Sequence, residues 1–290
     1  MKISEILKLN RRTISFEVFP PKTESAFDSI RSATEEIASL SPAFMSVTYG
    51  AGGGTSRYTV DIAKNIENLY NVPTLAHLTC VSSTRKTVLE RIADMKTAGI
   101  ENVMALRGDI PSDMQGLDRS GWDYRHATDL IREIRESGGD FCIGGACYPE
   151  IHPESPDRIS DLAFLKAKQD TGCDFLTTQM FFDNRLYFEF VEMARRTGVE
   201  IPIIPGIMPI TRMSQVERAI SLSHSYMPKE FLSLVDRYGS DDDAMMQAGI
   251  EYATRQIIDL YENGVANVHV YSMNKPFVAK TILNNLSGVL

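Results

Sequence analysis

Ile14-Ser15-Phe16-Glu17-Val18-Phe19-Pro20-Pro21 reads as a short strand that stops at two prolines. Ile14, Phe16 and Val18 alternate with Ser15, Glu17 and Phe19, the two-residue period of a strand. Glu17 is the anomaly. A carboxylate inside such a strand must be solvated, paired or protonated. Taken alone, the stretch is read most simply as a strand-end Glu facing water or bridging to a Lys or Arg. The alternative is a buried carboxyl, whose raised pKa would let it hand over a proton near neutral pH.

The rest of the chain repeats this strand and follows it with helix. Strands are expected at 44–49, 74–78, 101–106, 141–146, 174–179, 202–209 and 267–271. Helical spacing runs over 22–40, 58–69, 84–98, 124–137, 159–171, 187–197, 213–222, 228–238, 241–263 and 275–286, with Thr84 as an N-cap and Gly99 as a stop. Eight strands, each followed by helix, over 290 residues predict an α/β fold: a closed parallel (β/α)8 TIM barrel forming one domain, 1–290. An open doubly wound sheet is disfavoured, because the glycines after strand two, 50–54, lack the G-x-G-x-x-G order.

Composition narrows the function. A hydrophobic fraction of 43% and a charged fraction of 23% are ordinary for a globular chain. The net charge of −8 disfavours nucleic-acid binding. No apolar run is long enough to span a membrane, and the basic N-terminus has no signal-peptide core, so a cytoplasmic protein is expected. Cys80, Cys142, Cys147 and Cys173 form no C-x-x-C pair and are expected as core residues rather than metal ligands.

In such barrels chemistry sits where the strands end. The residues there are Glu17, Thr48, Tyr49, His77, Arg107, Asp109, Tyr148, His152, Gln179 and Tyr271 with Lys275. Each alone has a structural reading: a hydrogen-bonded core histidine at His77, a turn with an ion pair at Arg107 to Asp109, an exposed ring at His152. Together they give one rim more Glu, His, Arg, Asp and Gln than structure requires.

These residues fall in segments that resemble the methylenetetrahydrofolate reductase family, in its bacterial single-domain form. The segments are 15–23, 46–51, 76–80, 105–109, 148–154, 178–183, 204–209 and 270–274, in family order over nearly the whole chain. The resemblance implies a barrel that binds FAD at the C-terminal ends of its strands. It implies ping-pong hydride transfer from NAD(P)H to 5,10-methylenetetrahydrofolate, giving 5-methyltetrahydrofolate for one-carbon metabolism and methionine synthesis. Glu17 would be the general acid, and Asp109 the carboxylate beside flavin and pterin. Flavin contacts would be Tyr49, Ala51, His77, Arg107, Gly108, Asp109, Ala127, Tyr148, His152, Asp161 and Lys168. Thr48 would contact the nicotinamide. Asp109, Gln179, Gln215 and Lys275 would contact folate. No metal is implied.

The chain departs from that pattern at Phe164 and Ala167, where flavin contacts are polar, and at Ala219 or Ile220, where an aromatic packs on substrate. Lys275 replaces an arginine, keeping charge but losing bidentate geometry. A homo-oligomer is expected. Two other readings remain: the catalytic subunit of a complex with an accessory zinc and iron–sulfur protein, and a non-catalytic flavin- or folate-binding module.

Overall fold

The computed structural model describes the chain except residues 10, 22, 50–55, 111–113, 115, 117, 119 and 224, and the side chains of 24, 56, 57 and 221–223. Among the described residues, nine parallel strands form one sheet in the order β7-β6-β5-β4-β3-β2-β1-β9-β8. In chain order α1 (Ile3–Ile6) precedes β1 (Thr13–Val18), α2 (Phe27–Ser39), β2 (Met45–Val47), α3 (Ser56–Tyr70) and β3 (Thr74–Thr79). Then come α4 (Arg85–Thr97), β4 (Asn102–Leu106), α5 (Ala127–Glu136), β5 (Cys142–Cys147), α6 (Arg158–Thr171), β6 (Phe175–Thr178) and α7 (Asn184–Arg196). The chain continues through β7 (Ile203–Ile204), β8 (Gly206–Ile207), α8 (Met213–Ser223), α9 (Lys229–Tyr238), α10 (Asp242–Glu262), β9 (Asn267–Tyr271) and α11 (Pro276–Asn285).

This is the expected α/β barrel with one stave broken. The seventh expected strand is split at Pro205, which lacks an N–H and cannot continue the ladder. β7 pairs with β6, while β8 pairs with β9. Two bonds brace the seam: Gly206 N donates to Thr178 Oγ1 at 2.9 Å, and Tyr271 Oη donates to Thr178 O at 2.5 Å. A Cβ at Gly206 would lie 2.5 Å from both Thr178 O and Tyr271 Oη, so only glycine fits there.

The alternation in β1 sorts side chains between two environments. Ile14, Phe16 and Val18 face outward into the apolar layer beneath the helices. Ser15 and Glu17 face the barrel interior. Parallel register sets Glu17 opposite Ser46 of β2 and Tyr271 of β9, and Ser15 opposite His269. The interior is therefore layered. Its floor is apolar: Leu75, Met104, Cys142, Phe175 and Ile204 pack with Ile3, Ile6 and Leu7 from α1. Above the floor the layer is polar.

Several boundaries and one element differ from the sequence expectation, among them the starts of α2 and α5. α2 starts at Phe27 rather than at residue 22, because a 3-10 turn over Glu24–Ala26 comes first. α5 starts at Ala127 rather than at residue 124, because the Asp129 carboxylate accepts from the backbone N–H groups of Arg125 and His126 and caps the helix there. The floor helix α1 was not expected at all. Thr84 caps α4 as anticipated, accepting from Thr87 N at 3.2 Å. The four cysteines are buried and free. No helix among the described residues is long and apolar enough to cross a membrane.

Candidate active site at the strand exits

A cavity of about 830 Å³ opens above the polar layer, in the upper part of the ordinary range for ligand pockets. Glu17, Thr48, Tyr49, His77, Arg107, Gly108, Asp109, Ala127, Tyr148, His152, Asp161, Lys168 and Gln179 all line it, so the barrel gathers most of the expected site. Ala51 lies outside the described residues. Gln215 and Lys275 are not on this lining. They are joined to each other instead: Lys275 Nζ donates to Thr211 Oγ1 at 2.5 Å, and the Gln215 side-chain oxygen accepts from Thr211 N and Oγ1 at 2.8 and 3.0 Å.

Glu17 stands at the foot of the cavity, its backbone fixed by Ser272 Oγ donating to Glu17 O at 2.7 Å. Asn274 grips Phe19 on both sides, accepting from its N and donating to its O at 2.9 Å each. Desolvation pushes the Glu17 carboxyl up to about 7, and Ser46 Oγ, 3.3 Å away, pulls it part of the way back. About 21% of the side chain is open to the cavity. His77 Nε2 lies 3.7 Å from Glu17 Oε2 and has no hydrogen-bond partner. Burial lowers this imidazole to about 4, so the contact at neutral pH joins a neutral ring to a carboxyl near its midpoint and is not an ion pair.

The opposite wall carries charge. Arg107 makes a bidentate pair with Glu154 at 2.8 and 2.6 Å. Gly108 follows with φ +88, and a Cβ there would meet Val81 and Thr79 at 2.9 and 3.0 Å, so the turn that aims Arg107 and Asp109 needs glycine. Asp109 is exposed on the cavity rim. Tyr148 packs edge-on against His152 at 4.6 Å, and burial raises its phenol to about 12. Burial, with Arg107 nearby, lowers His152. Lys168 Nζ donates to Ala146 O at 2.6 Å and is lowered by burial. Asp161 is buried: Oδ1 accepts from Ser155 Oγ at 2.9 Å, while Oδ2 has no hydrogen bond. Phe164, a departure from the family pattern, stacks on His126 at 5.9 Å at the same wall.

Sequence reasoning missed Ser46, His269 and Ser15, which stand around and behind Glu17. Ser46 Oγ is 3.1 Å from His269 Nε2, and His269 Nδ1 is 2.8 Å from Ser15 Oγ. They were passed over as strand interior. The signal was register: polar residues at matching depth on adjacent parallel strands.

The residues suit a flavin dinucleotide. A buried carboxylate oxygen at Asp161 that has no hydrogen bond, only Arg158 at 4.0 Å, has room for a hydroxyl donor, which a ribityl or ribose chain supplies. Arg107 and Lys168 suit an anionic diphosphate.

The profile of the family described as methylenetetrahydrofolate reductase matches residues 2–287. A 5,10-methylenetetrahydrofolate reductase of Pectobacterium carotovorum is 33% identical over 276 residues, covering 95% of this chain and 90% of that one. Methylenetetrahydrofolate reductase (NADH) 1 of Arabidopsis thaliana is 34% identical over 98% of this chain and 50% of its own length. The chain thus spans about half the length of the first of the curated relatives it matches. In structure it resembles a Clostridium thermocellum protein that binds two copies of 5-methyl-5,6,7,8-tetrahydrofolic acid, with a TM-score of 0.71, 14% identity and full coverage of both chains. That likeness speaks for the fold, while the profile and the bacterial relative place the chain in the methylenetetrahydrofolate reductase family.

Proposed function

We propose that this protein reduces 5,10-methylenetetrahydrofolate to 5-methyltetrahydrofolate with NAD(P)H, through FAD held in the 830 Å³ cavity. The observation that carries the reading is Glu17: a carboxyl that burial holds near 7, at the foot of a cavity whose other wall bears Arg107 and Lys168. When bound, FAD would supply the hydride chemistry that links the nicotinamide and folate half-reactions.

The chain's own residues supply the rest. Opening the methylene bridge to an iminium needs a proton on the leaving amine. Glu17 is placed to give it, being about half protonated at neutral pH. Asp109 and Gln179 face the same space and would orient the pterin, and Thr48 would meet the nicotinamide. Arg107, Lys168, His152 and Asp161 would hold the dinucleotide. Gln215 and Lys275, off this lining, would reach only the outer part of the folate. Relatives named for NADH and for NADPH are both known.

The test is spectroscopic. The purified protein should show flavin absorbance that NAD(P)H bleaches and methylenetetrahydrofolate restores. A protein that binds FAD but is not reoxidised by the folate is a binding module, and the reading fails.

A further inference from the structure

The polar layer around Glu17 continues along the foot of the cavity, where Ser46 and His269 line it and Ser15 lies behind them. Ser46 Oγ stands between Glu17 Oε2, at 3.3 Å, and His269 Nε2, at 3.1 Å. His269 Nδ1 then meets Ser15 Oγ at 2.8 Å, and Ser15 Oγ lies 3.1 Å from the Val268 carbonyl. Ser15, Ser46 and His269 are each no more than 3% exposed, so water cannot readily complete a missing bond. The His269 ring is fixed by stacking on Phe44 at 5.6 Å and by the edge of Tyr271 at 5.5 Å. Burial, with His77 nearby, drops this imidazole to about 3, so it carries one proton and has one donor and one acceptor nitrogen.

Donor and acceptor counting then distinguishes the two states of Glu17. Ser46 has one hydroxyl proton and two neighbours that want it. If Glu17 is protonated, its O–H donates to Ser46, Ser46 donates to His269 Nε2, Nδ1–H donates to Ser15, and Ser15 donates to Val268 O. Every contact in the chain is then satisfied. If Glu17 is ionised, Ser46 must donate to it. His269 then either carries its proton on Nε2, with Ser15 turned to Nδ1 and the bond to Val268 O lost, or keeps it on Nδ1 and leaves Nε2 without a donor. The ionised state keeps one bond fewer.

We infer that His269 and Ser15 are positioning residues that draw the Ser46 hydroxyl away from the carboxylate and so bias Glu17 toward keeping its proton, through a hydroxyl–imidazole–hydroxyl chain. The inference rests on Glu17 being the proton donor, as proposed above. The groups that face Glu17 are Ser46 from β2, His77 from β3, and His269 and Tyr271 from β9. Neither histidine is protonated near neutral pH, so hydrogen-bond pattern is left as the lever beside desolvation. After Glu17 gives up its proton, rotation of the Ser46 hydroxyl lets the chain support the carboxylate while Nδ1–H stays on Ser15.

The test follows the titration of Glu17 itself. In the FAD-loaded protein, the protonated-carboxyl infrared band that Glu17→Gln removes is recorded against pH. His269→Phe keeps the ring's stacking and frees the Ser46 hydroxyl for the carboxylate. It should move the Glu17 midpoint down, leaving the protonated fraction at alkaline pH about five- to tenfold lower, the worth of roughly one hydrogen bond. Ser15→Ala removes the bond to Val268 O and is gentler on the fold. It should move the midpoint the same way by less, and it stands as the test if His269→Phe does not fold. In stopped flow, folate reduction should shift its pH profile by the same amount while keeping its low-pH plateau, and flavin reduction by NAD(P)H should not change. A merely structural role would lower the plateau at every pH instead. An unmoved Glu17 midpoint in the variants overturns the inference, whatever the activity. A midpoint that moves in a protein unable to reduce the folate leaves the chain standing and refutes the functional reading.

Discussion

The two walls of the cavity are built from similar residue types and behave in opposite ways. On the β9–β1–β2–β3 side, Glu17, His77 and His269 all titrate away from their ordinary values, and each shift has desolvation as its main cause. Close to neutral pH both imidazoles of that wall are neutral, and Glu17 is near its midpoint. On the β4–β6 side, Arg107 meets Glu154 in a bidentate ion pair, and Arg158 lies 4.0 Å from Asp161. The first group stands within the strands, one layer above an apolar floor. The second leaves strand ends or rides on α6. Position along the strands thus separates groups that hold or pass a proton, set within them, from groups that hold an anion, set at their exits and on α6.

The sharpest way to break this contrast is Glu17→Gln. Close to isosteric, it should keep the fold and FAD. Folate reduction should drop by about 10²–10⁴-fold, the usual contribution of a general acid, while flavin reduction by NAD(P)H stays within about tenfold. Stopped-flow absorbance follows each half-reaction separately. A variant reoxidised at the wild-type rate would shift the proton source to Asp109.

Next in size is the charged wall. Arg107→Ala removes charge-assisted bonds to an anionic ligand worth roughly 1.5–3 kcal/mol, or about ten- to a hundredfold in FAD dissociation. Fluorescence of released flavin on dilution measures it. Full retention would show that Arg107 serves Glu154 alone.

The same Glu17→Gln exchange also reads the first wall through stability. A carboxyl that titrates at about 7 folded and 4.5 unfolded binds its proton more tightly in the folded state. The folded protein therefore loses stability as pH rises from 4.5 to about 7, and the loss is complete above that range. The Gln variant of the apoprotein should gain about 1–3 kcal/mol at pH 8, discounted for the part of the side chain open to the cavity, and nothing at pH 4. Urea midpoints at both pH values decide it, and an equal gain at both would mean that Glu17 is not buried in solution.

The smallest effect tests the outlying Lys275–Thr211–Gln215 group. Lys275→Ala should raise the KM for the folate about two- to fivefold, the scale of one partly exposed charge, with the effect fading at high salt and flavin reduction untouched. Equal damage to both half-reactions would make Lys275 a structural partner of Thr211.

Strand–helix alternation and the polar strand exits made the barrel and its rim legible in the sequence, because both are written in local periods. Glu17 drew notice because a carboxylate within a strand must be solvated, paired or protonated. Its partners did not. Ser46 and His269 sit in strands as ordinary polar residues, and only the register of β2 and β9 against β1 makes them neighbours. The floor was hidden for a related reason. Ile3 and Ile6 are too few to show a helical period, and their partners lie on β3, β4, β5, β6 and β7. The split at Pro205 was not legible as a seam, which exists only once β6 and β9 flank it.

The floor helix has a consequence for the order of events during synthesis. α1 emerges from the ribosome before every strand that it packs on, and the last of them, β7, holds Ile204, some two hundred positions later. Closing so long a loop early gains nothing, since the surface that receives Ile3 and Ile6 does not yet exist. Two apolar side chains that end at 0% and 3% exposure must therefore wait in water, within reach of chaperones and of other nascent chains, until the barrel is nearly whole. The plug is a late-docking latch, and its closure reports that the strands around it have found their places.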